Sequence, residues 1–342
     1  MKVRSRAPLR LGLAGGGTDV SPYCDEHGGL VLNATIDKYA YASIEDSESG
    51  LLEVVSADRE RQQSVEPWDS GSLSDDLVLH RGVYERMIKQ FNNGEPIAVR
   101  ISTHTDAPPG SGLGSSSTLV VAMVSAFAEY FRLSLGQYEI AHLAWEIERV
   151  DLGLAGGRQD QYAAAFGGFN FMEFNPDGGV VINPLRVRRW ITSELEASLL
   201  LYFGGVSRES ATIIEQQAAN VRAGVESAVD ATHALKAEAI HMKESLLKGN
   251  FDGMVRSLHS GWVAKQELAD SITNPAIERA HATATRCGMR AGKVSGAGGG
   301  GFMMMLVDPV RRMDVIRGLA SVGGRVSTCH FTAEGAESWL VR

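Results

Sequence analysis

The sequence predicts an α+β fold in two domains, and three observations carry that expectation. Strand-like segments crowd the first 110 residues, helical spacing fills the middle of the chain, and strand-like apolar runs return near its end. The length of 342 residues suits two units of roughly 150 each. The 38 glycines gather in clusters beside apolar segments, where backbone must turn sharply or approach something closely. The expected units are 1–187 and 188–342, divided after the apolar run 168–174 and before a new helical composition.

Each element follows from local pattern. Residues 9–14, 29–44 and 51–56 have strand character, the last two joined by the polar turn 45–50. Residues 76–90 have helical spacing, and 98–104 alternates like a strand. The strongest helix is 116–132, which opens on a serine run able to cap it and contains no Gly or Pro. A second helix is expected at 137–150 and a short third at 159–166. Segment 194–203 is mixed apolar and should end as a strand. Long helical patterns cover 209–250, with internal breaks, then 251–269 and 275–287. Residues 289–307 predict strand, glycine loop, strand; 308–320 a helix; and 324–332 a final strand.

Charge and cysteine usage exclude several classes of function. Lys plus Arg number 33 against 41 Asp plus Glu, a net charge of −8, with no basic block. That argues against nucleic acid or an anionic membrane as partner, while leaving room for a local site for one phosphorylated ligand. Three cysteines without CxxC spacing give neither a disulfide framework nor a zinc motif, and fit a reduced cytoplasm. The apolar stretch 11–14 is too short for a signal peptide, and the runs 119–128 and 302–307 fall far below a membrane span. A cytoplasmic protein is expected, monomer or homodimer.

The chemistry should sit in the glycine loops. Pro108 and Pro109 stiffen the entry to Gly110-Ser111-Gly112-Leu113-Gly114, which runs through Ser115 and Ser116 into the strong helix. Exposed amides and the positive helix end make this an anion site suited to phosphates. It is not a Walker loop, because GxxxxGK[ST] is absent, and Ser117 stands where a dinucleotide fingerprint needs its third glycine. HRD and DFG are absent too, so a protein-kinase site is excluded.

Three segments together resemble the GHMP kinase superfamily: 6–19, containing Ala14-Gly-Gly-Gly-Thr-Asp19; 108–117; and 293–305, overlapping Gly292-Lys-Val-Ser-Gly-Ala-Gly-Gly-Gly-Gly301. They occur in the family's order and span nearly the whole chain. Within the superfamily, the first motif and Gly157-Arg-Gln-Asp-Gln-Tyr162 most resemble bacterial D-glycero-D-manno-heptose 7-phosphate kinases. The resemblance implies a two-domain α+β GHMP kinase fold with its active site in the cleft, using ATP and Mg2+ on a small sugar phosphate. It implies that Asp160 is catalytic with Arg10 beside it, and that Asp19, with Gly16, Gly17 and Thr18, meets the sugar. Ser116 and Glu148 match the magnesium side of the site, with Glu146 a competitor for that role. Gly16-Gly17 depart from the galactokinase Glu-His, which argues against galactose. Arg158, Lys293 and Gly298 are further substrate candidates, the two cations for the substrate's phosphate. Another sugar, such as fucose or an amino sugar, and a non-catalytic sensor are the alternative readings. Physically, phosphoryl transfer needs amides on the phosphates, a metal anchor, a cation and a group orienting the attacking hydroxyl, and this set supplies one of each.

Overall fold

The computed structural model describes residues 1–108, 110–205 and 210–342. Among them, twelve strands form two sheets. The first sheet contains β1 (Lys2–Ala14), β2 (Gly29–Asp46), β3 (Leu52–Ser56), β4 (Arg61–Val65), β5 (Val99–Thr105), β6 (Phe169–Phe174) and β7 (Val180–Pro184). The second contains β8 (Leu199–Phe203), β9 (Met289–Val294), β10 (Phe302–Val307) and β11 (Arg325–Ser327), in the order β11-β8-β10-β9. The chain then returns to the first sheet, where β12 (Glu337–Leu340) pairs antiparallel with β1. A linear division at 187/188 does not include that return.

The helices are α1 (Tyr23–His27), α2 (Val78–Phe91), α3 (Ser115–Tyr130), α4 (Gln137–Glu146), α5 (Gln159–Phe166) and α6 (Arg189–Ser198). They continue as α7 (Ser210–Arg222), α8 (Glu226–Lys248), α9 (Phe251–Gln266), α10 (Pro275–Cys287) and α11 (Arg312–Ala320). The mixture is α+β, as expected. Helix α3 is apolar all round, and its residues from Leu119 to Ala128 are buried on every side, the condition for a helix without a polar face. It packs against β1, β2, α2, α4 and α5, so it is the central support of the first sheet's half of the molecule. A second apolar cluster joins β1 and β2 to α8, α9 and the second sheet through Leu11, Leu13, Met242, Met254, Leu258 and Met304. The two halves therefore share a core.

Several elements differ from expectation for identifiable reasons. Strand β1 starts at Lys2 because Val3 and Ser5 alternate inward between charged neighbours before the strand becomes fully buried at Ala7. The segment from 189 is helix until Ser198 and strand only from Leu199. The pattern 209–250 breaks at Gly224, whose φ of 66° ends α7. The predicted helix 137–150 is α-helical only to Glu146; Ile147–Asp151 is a π-helical turn. The serines do not cap α3. Its N-cap is Gly114 in the left-handed region, with no side-chain cap.

His80 on α2 is 2% exposed, with Nε2 2.8 Å from the Thr103 hydroxyl. Burial, the larger cause, and nearby Arg59 push its pKa down from 6.5 to about 4. Between those values the unfolded chain binds a proton that the folded chain refuses, so stability is present above pH 6.5 and is lost as pH falls toward 4. The loss from this group is about 3 kcal/mol, at about 1.4 kcal/mol per unit. His80→Gln removes the titration. Urea unfolding at pH 7 and pH 4.5 should show a smaller acid loss in the variant, and equal losses would assign acid sensitivity elsewhere.

Candidate active site

One cavity of about 820 Å³ opens between the sheets, lined by residues from β1, the second glycine loop, the start of α3, the Ile147–Asp151 turn, α5, α9 and the third glycine loop. The sequence builds it by making loops from the two halves touch. The Gly112 carbonyl accepts from the Ser295 hydroxyl at 2.8 Å, and the Ser111 carbonyl accepts from the Phe302 N–H at 2.8 Å. Gly112 has φ 76°, and a Cβ there would lie 2.3 Å from the Ser295 carbonyl oxygen. This close approach is backbone to backbone, which explains the glycine at that position.

Arg10 and Asp160 form the centre of the site. The β1–β2 register shifts between Pro8 and Arg10, a bulge that re-aims the Arg10 side chain. Arg10 is 4% exposed; its Nε lies 2.7 Å and its second guanidinium nitrogen 2.6 Å from Asp160 Oδ1. Its remaining nitrogen donates to the Gly112 carbonyl at 2.5 Å. Both Arg10 contacts to Asp160 thus fall on one oxygen. Among the described residues Asp160 Oδ2 has no hydrogen-bond partner, and it sits beside Gly114, where a Cβ would approach it to 3.3 Å. A carboxylate held by one oxygen and free at the other, in a cavity, can accept a hydroxyl proton.

Asp19 tethers the helix that carries Asp160. Its Oδ2 accepts from the backbone N–H groups of Arg158 at 2.9 Å and Gln159 at 3.0 Å, and its Oδ1 from the Gln159 side chain at 3.0 Å and Gly17 N–H at 3.2 Å. Asp19 is 1% exposed, so its main contacts are protein donors rather than an open face for a sugar. A carboxylate on the first amides of α5 also suits the helix dipole. Gly16 and Gly17 line the cavity, with Gly16 facing the Gln159 side chain. Thr18 does not line it; its buried hydroxyl lies 2.8 Å from the Gly15 carbonyl and 2.9 Å from the Leu30 carbonyl, and accepts from Leu30 N–H.

The phosphate-loop residues separate into wall and anchor. Gly110, Gly112, Gly114, Ser115 and Ser116 line the cavity. Ser111 and Leu113 are fully buried beneath it, and the Leu113 carbonyl accepts the Arg10 N–H. Pro109 lies outside the described residues. With Gly114 as N-cap, the first amides of α3 keep no side-chain acceptor, which suits an anion.

Ser116 is exposed at the cavity wall, and Glu148, 1% exposed, lines the same cavity from the π-helical turn. Glu148 Oε2 accepts from Gln161 Nε2 at 2.5 Å, and Oε1 lies 3.8 Å from an Arg149 nitrogen. Gln161 also donates to the Ser117 hydroxyl at 3.1 Å, tying the Glu148 turn to α3. Glu146 instead pairs with Arg86 at 3.1 Å, away from the cavity lining. No cluster of three or more His, Cys, Asp or Glu able to hold a metal occurs among the described residues. Magnesium bound with a nucleotide needs only one or two protein oxygens, and a buried carboxylate and an exposed hydroxyl lining one cavity fit that requirement.

Two further substrate candidates, like Thr18, lie outside the cavity lining. The Arg158 guanidinium lies over the Trp145 ring at 5.0 Å, 3.4 Å from the Gly178 carbonyl and 3.5 Å from Asp25, and it is not in the cavity lining. Its contribution is its backbone N–H to Asp19. Gly298 packs on Ile272, also outside the lining, with φ 109°. Lys293 does line the cavity, its Nζ 3.5 Å from the Leu13 carbonyl oxygen. Beside it stands a residue the sequence reading missed, Lys265 of α9, 4% exposed and also in the lining. Gln159 and Gln161 were missed although they flank Asp160 in the quoted motif. Lys265 stands in an ordinary helical pattern with no motif around it.

Comparison with known proteins identifies the family. Residues 78–168 match the family of GHMP kinases N terminal domains, and 242–324 match the GHMP kinases C terminal family. A D-glycero-alpha-D-manno-heptose 7-phosphate kinase of Campylobacter jejuni is 44% identical over 339 residues, covering 99% of both chains. A crystal structure described as a D-glycero-D-manno-heptose 1-phosphate kinase from Bacteroides thetaiotaomicron is 45% identical, with a TM-score of 0.83 and 99% of both chains covered. Galactokinase of Lactococcus lactis, solved with galactose, shares the fold at 15% identity and TM-score 0.80, covering 98% of this chain and 95% of its own. No described helix is long and apolar enough to cross a membrane.

Proposed function

The chain belongs to the GHMP kinase family and is a sugar-kinase phosphotransferase, and from that premise we propose that it transfers the γ-phosphoryl of ATP to the anomeric hydroxyl of D-glycero-D-manno-heptose 7-phosphate. The product would be the 1,7-bisphosphate, for activated heptose and capsule or surface polysaccharide. The observation that carries the chemistry is the one-sided Arg10–Asp160 pair, which leaves Oδ2 free in the cavity. In this reading Oδ2 accepts a hydrogen bond from the acceptor hydroxyl, orients its lone pair toward phosphorus, and takes the proton late. In a loose transition state little proton transfer precedes bond formation, so a weak base suffices. Arg10 fixes the carboxylate through Oδ1 and, with its third nitrogen on Gly112, links the acceptor side to the phosphate loop. Amides of Gly110 to Ser116 and the open end of α3 take the nucleotide phosphates. Glu148 and Ser116 would hold magnesium, which when bound offsets phosphate charge.

The substrate reading rests on similarity and on the cations of the cavity. The two similar proteins are named for heptoses phosphorylated at position 7 and at position 1. Both names agree on a phosphorylated heptose. A dianion held by one or two charged hydrogen bonds gains roughly 1.5–3 kcal/mol per bond, about one to two decades each. We expect kcat/KM for heptose 7-phosphate to exceed that for unphosphorylated heptose at least tenfold, with phosphorus NMR placing the new phosphate on the anomeric oxygen. Equal efficiency on both sugars would discard the phosphorylated acceptor, and a product phosphorylated elsewhere would discard the anomeric assignment.

A further inference from the structure

Lys265 and Lys293 reach one place from different elements. Lys265 comes from α9 and Lys293 from β9, and both line the cavity. Lys265 is 4% exposed, and its ammonium donates to no acceptor among the described residues; the Lys293 ammonium has only the Leu13 carbonyl at 3.5 Å. Neither forms an ion pair within 4 Å among those residues. A buried ammonium without an acceptor is costly, and two near one another repel. Burial first, then Lys265 and Arg10, push the Lys293 pKa down to about 7; burial, opposed by Asp19 and reinforced by Arg10, pushes Lys265 down to about 8. An anion between them would remove both penalties at once.

Two phosphates are candidates for that place, the acceptor's own and those of the nucleotide. The nucleotide side is accounted for by Gly110 to Ser116 and α3, which lie against Asp160 through Gly114. Lys293 instead reaches the Leu13 carbonyl beside the first glycine motif, and Lys265 feels the Asp19 carboxylate of that motif together with Arg10. In-line transfer places the attacking hydroxyl and the leaving nucleotide on opposite sides of the transferred phosphorus, so cations on the first-motif side serve the acceptor. We propose that Lys265 and Lys293 together form the seat for the phosphate that the acceptor sugar already carries. The inference rests on the reading of the acceptor as a sugar phosphate and adds where that phosphate binds and which residue selects for it.

The test uses Lys265→Met, Lys293→Met and Lys265→Arg in the full chain, with kcat/KM measured for heptose 7-phosphate and for heptose, and KM for ATP. Methionine keeps the stem volume and removes the charge, and arginine restores a cation if methionine impairs folding. Each methionine variant should lose at least ten times more efficiency on heptose 7-phosphate than on heptose, mainly through KM, with Lys265→Arg recovering part of it. Equal losses on the two sugars would overturn the seat. A rise confined to the KM for ATP would assign the pair to the nucleotide and overturn it as well. The substrate reading fails separately, in the wild type, if that enzyme shows no preference for the phosphorylated sugar. Wild-type preference that survives both methionine variants would keep the substrate and remove the lysines.

Discussion

Asp160→Asn leaves the fold and ATP binding in place and lowers turnover about a hundredfold or more, the scale of a positioned proton acceptor. The side-chain oxygen facing Arg10 can still accept its two contacts, so the geometry of the pair is kept. What is lost is the free oxygen as a proton acceptor and the charge that balances a buried guanidinium. Arg10 is also held by the Gly112 carbonyl, which limits its displacement. The checks are steady-state turnover, ATP affinity and thermal unfolding on one preparation. Folded variant with near wild-type turnover would remove Asp160 from the chemistry. Folded variant that has lost ATP affinity would instead show that the pair supports the phosphate loop.

Glu148→Gln is expected to lower activity about tenfold to a hundredfold and to raise the magnesium concentration needed for half-maximal rate. That range follows from roughly 1.5–3 kcal/mol for a contact to a charged group, converted at 1.4 kcal/mol per decade. The amide oxygen can still accept from Gln161, so the tie between the π-helical turn and α3 survives and the loss reports the charge. Ser116→Ala should move the same titration by less, because it removes one neutral oxygen from an exposed position. A magnesium titration at fixed ATP measures both. An unchanged requirement in both variants, with full maximal rate, would leave the buried carboxylate a structural role only.

The contrast between Asp160 and Lys265 shows which cavity residues a sequence marks and which it does not. Asp160, Arg10 and the loop glycines stand in short local motifs, and local motifs are legible because backbone conformation and neighbouring side chains are specified together. Gly112 shows the connection: its positive φ and its contact with Ser295 both require the missing Cβ. The long apolar pattern of α3 likewise announces a buried helix before any coordinates exist. Asp19 was visible as a residue, yet its bonds to the start of α5, 139 and 140 positions away, were not.

The sequence by itself determined the α+β class and the three glycine loops, because each depends on composition and spacing over a few tens of residues, and the resemblance of those loops to known motifs pointed to the family. Only the tertiary structure decided which polar groups share the cavity. It turned Arg158 onto Trp145, put Glu148 and not Glu146 in the cavity lining, and brought Lys265 of α9 beside Lys293 of β9. The physical reason is the same in each case. A side chain's burial and charge environment is set by elements far away in the chain, and a lysine in an amphipathic helix carries no local mark of what will face it once the sheets have packed.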